Sequence, residues 1–215
     1  MIFEIYTYVH SLDCLGLLIP AMLVKTEHPS GGGAGGTHSL PRRYIPARGE
    51  CVVGVVMTKA GDTFRVDIGT AEPASLSYLA FEGATKKNRP DVKVGDLVYA
   101  KLLVASRDME PELVCVDSYG KKAGLGVLSG GGLVFGVPLH LVRRLLAPES
   151  DLLKALGTST PFEVAVGMNG RVWVRARSVR ETVCLAQAIE CSEHMTQGEV
   201  RAMADRLAGV LQGFQ

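Results

Sequence analysis

The chain has 215 residues, 47% of them hydrophobic, and 23 Lys plus Arg against 22 Asp plus Glu, a formal net charge of +1. That apolar content excludes disorder throughout and suits one large or two to three small packed domains. The near-neutral balance excludes a global field that attracts a polyanion, so any nucleic-acid site must be a local patch. Five cysteines, Cys14, Cys51, Cys115, Cys184 and Cys191, include no CxxC pair, which favours reduced thiols in a cytosolic or nuclear compartment.

The first apolar run, Cys14 to Val24, superficially resembles the core of a secretory signal, but Glu4 and Asp13 precede it where positive charge is expected and Pro20 interrupts it. It is also shorter than the roughly 20 residues that span a bilayer, so a strand or short helix is the expectation and no membrane partner is foreseen. Ser30 to Gly36 is glycine-rich and reads as a linker or hairpin loop. A phosphate-binding loop would need a Lys-Ser or Lys-Thr pair leading into a helix, whereas Thr37-His38-Ser39-Leu40-Pro41 follows.

From Arg48 the pattern changes to short strands punctuated by turn residues, the signature of a small β-barrel. Val52 to Thr58, broken by Gly54, and Thr63 to Ile68 should form a hairpin across Ala60-Gly61-Asp62. Leu76 to Phe81, Asp96 to Ala105 and Glu112 to Asp117 complete five strands, the size of an OB-type barrel. Such a barrel holds single-stranded nucleic acid when bases stack on its rings and phosphates meet its cations. Phe64, Val66 and Ile68 share one strand face, most simply the core, which leaves Arg65 exposed and Tyr78 and Phe81 as aromatic candidates. The dense basic loop Lys86-Lys87-Asn88-Arg89, stopped by Pro90, is the preferred phosphate contact, with Lys59, Lys101 and Arg107 in reach.

The remainder reads as mixed α+β. Leu133 to Val137 is a strand, Leu139 to Leu146 a helix stopped before Pro148, and Asp151 to Leu156 begins a second helix. Phe162 to Val166 and Val172 to Val174 form a hairpin around Asn169-Gly170, and two amphipathic helices, Val179 to Glu190 and Gln197 to Leu211, follow, the last capped by Thr196. Gly167-Met168-Asn169-Gly170 satisfies the GxxG pattern that clamps nucleic-acid backbone in KH domains. That clamp joins two helices, whereas this tetrapeptide joins two strands, so Gly167, Asn169 and Gly170 are assigned to a structural turn in which glycine and asparagine supply positive φ. Arg171, Trp173, Arg175 and Arg177 fall on one strand face and are candidates for contact with a partner protein, since Trp and Arg are enriched at interface hot spots.

Several long strings in the same order carry a family resemblance. Glu72 to Thr85, the Lys86 to Arg89 loop, Val94-Gly95-Asp96, Asp108 to Glu112, Leu145 to Pro148, Gly167 to Gly170 and Cys191 to Thr196 are similar to RNA exosome cap subunits of the S1/KH type, the animal ones above all. The resemblance spans about Arg43 to Leu211. It implies a short or atypical N-terminal β segment with its Gly-rich linker at 1–46, an S1-type OB barrel at 47–118 and a KH-type α+β domain at 119–215. Before Arg43 little matches beyond Met22-Leu23-Val24 and the glycine tract. The resemblance further implies a non-catalytic subunit on a ring of RNase-PH-like subunits, guiding single-stranded RNA 3′ ends to an associated 3′-to-5′ nuclease. It implies membership of a hetero-oligomer in nucleus, nucleolus and cytoplasm, with a structural role for the GxNG turn.

No cofactor and no metal is called for. Cys184, Cys191 and His194 offer only three possible zinc ligands, and Asp108, Glu110 and Glu112 lie in a turn-like stretch better read as a solvated loop. No nucleophile and base stand in a credible order, so an enzyme is not expected. A purely structural ring-stabilising subunit and a free-standing single-stranded RNA-binding protein are the alternatives.

Overall fold

The computed structural model describes residues 44–106, 109–148 and 150–212. The expectations for the segment before residue 44, and for Arg107 and Asp108, lie outside them. Among the described residues, nine strands and four α-helices follow one another: β1 Cys51–Ala60, β2 Thr63–Asp67, β3 Ala74–Phe81, β4 Leu97–Val104, β5 Glu112–Cys115, β6 Gly126–Val127, β7 Leu133–Gly136, α1 Leu139–Leu146, α2 Leu152–Ser159, β8 Phe162–Val166, β9 Arg171–Ala176, α3 Val179–Cys191 and α4 Gln197–Gln212. No helix among the described residues is long and apolar enough to cross a membrane.

Strands β1 to β5 form the expected closed barrel in the order β1-β2-β3-β5-β4, with β4 returning to pair with β1. Alternation fills it: Val52, Val56, Phe64, Val66, Leu76, Tyr78, Val98, Ala100, Leu102 and Leu113 are buried. Gly54 does not break β1. A side chain there would overlap Val66, so glycine lets β1 and β2 approach closely while β1 continues to Ala60. The two-residue β6 pairs with β4, so the barrel sheet runs past the boundary expected at residue 118. Two residues, one of them glycine, carry no alternation by which a strand is recognised.

The second half packs three antiparallel strands, ordered β7-β9-β8, between the barrel and the helices. Strand alternation gives the sheet two apolar faces. Val166, Val172 and Val174 join Leu141, Val142 and Leu145 of α1, Leu185, Ala188 and Ile189 of α3, and Val200, Met203, Ala204 and Leu207 of α4 in one core. Ala165 and Trp173 on the other face belong to the barrel's core, with Val134 packed against it. Helix α3 starts where Ser178 and Glu181 form a reciprocal capping box. Before α4, Thr196 Oγ1 accepts from the Glu199 N–H at 3.4 Å while the Glu199 carboxylate accepts from the Thr196 N–H at 2.8 Å, in keeping with the expected cap.

Candidate nucleic-acid interface

Strand directions decide which loops meet. Strands β3 and β5 pair in parallel, with Phe81 beside Cys115, so the loops that follow them, 82–94 and 116–125, leave the same end of the barrel side by side. The β1–β2 turn reaches that end as well, because Thr63 pairs with Ser77 of β3 and the Tyr78 N–H donates to Asp62 O at 3.2 Å. Lys59, Lys86, Lys87 and Arg89 are therefore brought together around one rim, and all four are exposed.

The basic loop is braced from within. The Asn88 N–H donates to Thr85 Oγ1 at 3.0 Å, its carbonyl accepts from the Thr85 N–H at 2.9 Å, and its side-chain amide donates to Gly83 O at 3.3 Å. Asn88 thus shapes the loop, and Lys86 and Lys87 project from it into solvent. Arg89 folds back: its guanidinium lies 4.7 Å from the centre of the Tyr78 ring and 3.1 Å from the Asp62 carboxylate. Tyr78 is only 4% exposed, pointing inward with Ala74 and Leu76, so it is not available to a base and the expectation of a stacking role is corrected. Phe64 is core, as its strand face predicts, with Phe81 edge-on at 6.5 Å and the Lys59 ammonium 5.4 Å from its ring centre.

The other candidate cations stand apart. Arg65 sits on the barrel wall, its guanidinium paired with Glu110. Lys101 pairs with Cys51 at the start of β1, at the far end from the Lys59 rim. Among the described residues no group of three or more His, Cys, Asp or Glu could hold a metal ion. The Cys115 thiol is buried and pushed up to about 12 by that burial, leaving it inert as a nucleophile.

The GxNG turn reaches the barrel. Gly170, at φ +79°, closes it with an N–H bond to Gly167 O at 3.0 Å. Asn169 does not share the positive φ foreseen for it; its side chain instead donates to Val53 O at 2.8 Å and Ile68 O at 2.9 Å and accepts from the Val53 N–H at 3.3 Å. The Met168 N–H donates to Cys51 O at 2.8 Å, and a side chain at Gly167 would press on the Val53 amide at 2.7 Å. Alongside, Arg171 donates to Asp67 O at 2.7 Å and to its carboxylate at 2.6 Å. Burial opposes ionisation of Asp67, but hydrogen bonds from Arg171 and the Gly69 amide, with the Arg171 charge, outweigh it and hold the carboxyl below its usual range.

These contacts correct the partner-face expectation. Arg171, Trp173 and Arg175 do share a strand face, but that face covers the barrel of the same chain. Trp173 is 3% exposed, and a side chain at Gly132 would overlap its indole. Arg175 lies 3.8 Å from Glu163, which it faces across β8 and β9, and only Arg177, beyond the strand, is freely exposed.

Comparison with known proteins gives this arrangement a lineage. Residues 44–126 match the family model described as the S1 domain of exosome complex component RRP40, and residues 132–180 match a KH domain model. The chain is 50% identical over 187 residues to mouse exosome complex component RRP40, spanning 86% of this chain and 68% of the relative. The chain belongs to the RRP40 family. The Drosophila melanogaster member is 53% identical over 171 residues, covering 80% of this chain and 73% of that one, and the Saccharomyces cerevisiae member 38% over 169, covering 77% and 70%. A crystal structure of a candidate exosome complex RNA-binding protein superposes with a TM-score of 0.63 at 22% identity, covering 80% of this chain and 98% of that one, which speaks to the fold.

Within this RRP40-family barrel, one stretch of the rim was missed from sequence. The loop after β5 carries exposed Tyr119, Lys121 and Lys122, and its Lys122 N–H donates to the Glu82 carboxylate at 3.0 Å, tying it to the start of the basic loop. The signal was present in Asp117-Ser118-Tyr119-Gly120, an aspartate two residues before an aromatic and a glycine, which is a turn pattern.

Proposed function

We propose that the chain is a non-catalytic, RNA-binding cap subunit of an RNA exosome, which guides single-stranded RNA 3′ ends into the channel for 3′-to-5′ degradation and processing, ribosomal RNA included. The observation that carries the reading is the braced loop at one barrel end, from which Lys86 and Lys87 project unpaired among the described residues. Point charges on a preorganised loop neutralise phosphates without reading bases, which suits a strand that must slide. The near-neutral net charge points the same way, since a tight global binder would stall it. Family membership supports the assembly context, the relatives being named as exosome complex components.

In this reading the S1-type barrel approaches RNA, and the KH-type domain, its GxNG turn bonded to the barrel, serves packing and docking. RNase-PH-like ring subunits and an associated 3′-to-5′ nuclease are the partners, Arg175 and Arg177 are left as outward contacts, and nucleus, nucleolus and cytoplasm are the compartments. The test is affinity purification of the tagged chain from cells under mild salt, with mass spectrometry. Stoichiometric ring subunits and a nuclease are expected. RNA without those proteins would support a free-standing binder, and ring subunits whose RNA decay survives charge reversal at Lys86, Lys87 and Arg89 would support a purely structural subunit.

A further inference from the structure

The loop after β5 is more than a connection. Tyr119 is 87% exposed, yet exposure alone means little, because single apolar side chains are common on surfaces. What distinguishes Tyr119 is how it is held. The Asp117 carboxylate accepts from the Tyr119 N–H at 2.9 Å and the Lys121 N–H at 2.8 Å, the Asp117 N–H donates to Lys121 O at 2.8 Å, and Gly120, at φ +73°, bonds Asp117 O at 3.1 Å. The turn is fixed on both sides of the ring, so presenting it to a ligand costs little ordering.

The charges around it are arranged to match. Both nearby carboxylates, Asp117 and Glu82, are directed at backbone amides rather than at ammonium groups. Lys121 and Lys122 are exposed, and no described carboxylate forms an ion pair with either. The parallel pairing of β3 with β5 sets this turn beside the loop of Lys86 and Lys87. An exposed ring on a turn that carries two lysines, tied through the Lys122 amide to the start of a second lysine loop, offers a stacking surface and phosphate contacts at one barrel end. A protein partner fits less well, since lysine is depleted at interface cores.

We infer that the Asp117–Lys122 turn is a nucleobase-stacking site, where Tyr119 stacks an unpaired base of single-stranded RNA while Lys121 and Lys122 on its own loop, and Lys86 and Lys87 on the next, meet the flanking phosphates. The inference rests on the reading of the chain as an RNA-binding subunit and adds where the strand is gripped and by what. Stacking uses the π-face that every base has, so the grip is sequence-tolerant.

The test is fluorescence anisotropy of a labelled oligouridylate of about ten nucleotides with the full chain and with the complex recovered with it, across a salt series. Tyr119→Ala is expected to weaken binding by roughly five- to hundredfold with the salt dependence unchanged, because a base contact and no phosphate contact is lost. Tyr119→Phe and Tyr119→Trp should bind like the parent, and Lys121→Ala with Lys122→Ala should lower the log–log salt slope by about 1.4. Photocrosslinking with 5-iodouridine in the same RNA should map to Tyr119. If Tyr119→Ala binds like the parent while Lys86→Ala with Lys87→Ala weakens binding, the stacking site is wrong and the RNA-binding reading stands. If neither chain nor complex binds the RNA, both fall.

Discussion

The seam between barrel and KH-type domain and the rim at the barrel's loop end treat polar groups in opposite ways. At the seam, Asn169 fills three backbone bonds of the barrel and Arg171 two atoms of Asp67, while Trp173 is enclosed. At the rim, backbone groups and carboxylates satisfy one another, and Lys86, Lys87, Lys121 and Lys122 are left to solvent. The same residue types, Arg with an aromatic at one place and Lys with an aromatic at the other, build a joint in the first case and an open binding surface in the second. Bonding state, rather than composition, separates them.

The comparison is tested hardest at Trp173. Trp173→Ala should cost about 3–5 kcal/mol, read as a lowered urea midpoint, because it leaves a cavity between the barrel and the sheet. The buried indole N–H has no hydrogen-bond partner among the described residues, so Trp173→Phe removes a donor unsatisfied there along with part of the ring and should cost much less. If Trp173→Ala unfolds like the parent, the seam is not a joint and the contrast with the rim collapses.

A second measurement uses pH. With its folded-state pKa held below the ordinary 3.8, Asp67 contributes stability that is complete above that value and is lost as pH falls through the lower folded-state one. Asp67→Asn should therefore lower the urea midpoint at neutral pH, and the gap from the parent should close on acidification below about pH 4. A gap of the same size at every pH would mean that the carboxylate charge contributes nothing at the seam.

How much of this could be read from the chain depends on whether the deciding interaction is local. Barrel strands and KH-type helices were legible because alternation at Phe64-Val66-Ile68 and helical spacing at Val200-Met203-Ala204-Leu207 report burial directly. The Lys86–Arg89 loop was legible as a charge run, though its division into projecting lysines, a bracing Asn88 and a folded-back Arg89 was not. The face holding Arg171 and Trp173 was correctly drawn and wrongly given to another molecule, since a strand pattern says that a face is covered and never by what. Asn169 looked like a turn former because its bonds cross more than a hundred residues to Val53 and Ile68, beyond any local pattern. Tyr78 alternates inward with Ala74 and Leu76, so its burial was within reach of the strand pattern, and only the Arg89 guanidinium that closes over its ring lay outside any local signal.

On the rim, effects should appear in binding and not in folding. Lys86→Ala with Lys87→Ala should leave the unfolding free energy, read by urea titration, within about 0.5 kcal/mol of the parent, as expected for exposed positions without bonded partners. RNA affinity should fall and the log–log salt slope drop by about 1.4, two phosphates at about 0.7 each. A large loss of stability here would place these lysines in the joint class and break the comparison from the other side.

Arg89 sharpens the contrast because it belongs to both regions: a rim cation by sequence, and by geometry a cover over the inward-facing Tyr78, pinned by Asp62. Half-exposed ring and ion-pair contacts are worth about 0.5–1 kcal/mol, so Arg89→Ala should produce that small loss in the urea midpoint together with a modest loss of RNA affinity. Arg89→Lys divides the two roles. An ammonium keeps the charge but not the flat guanidinium that lies on the ring, so the salt slope should stay with the parent while the stability loss approaches that of alanine. Should lysine restore stability and not binding, the guanidinium would have to be contacting RNA directly, and Arg89 would join Lys86 and Lys87 as a rim residue in full.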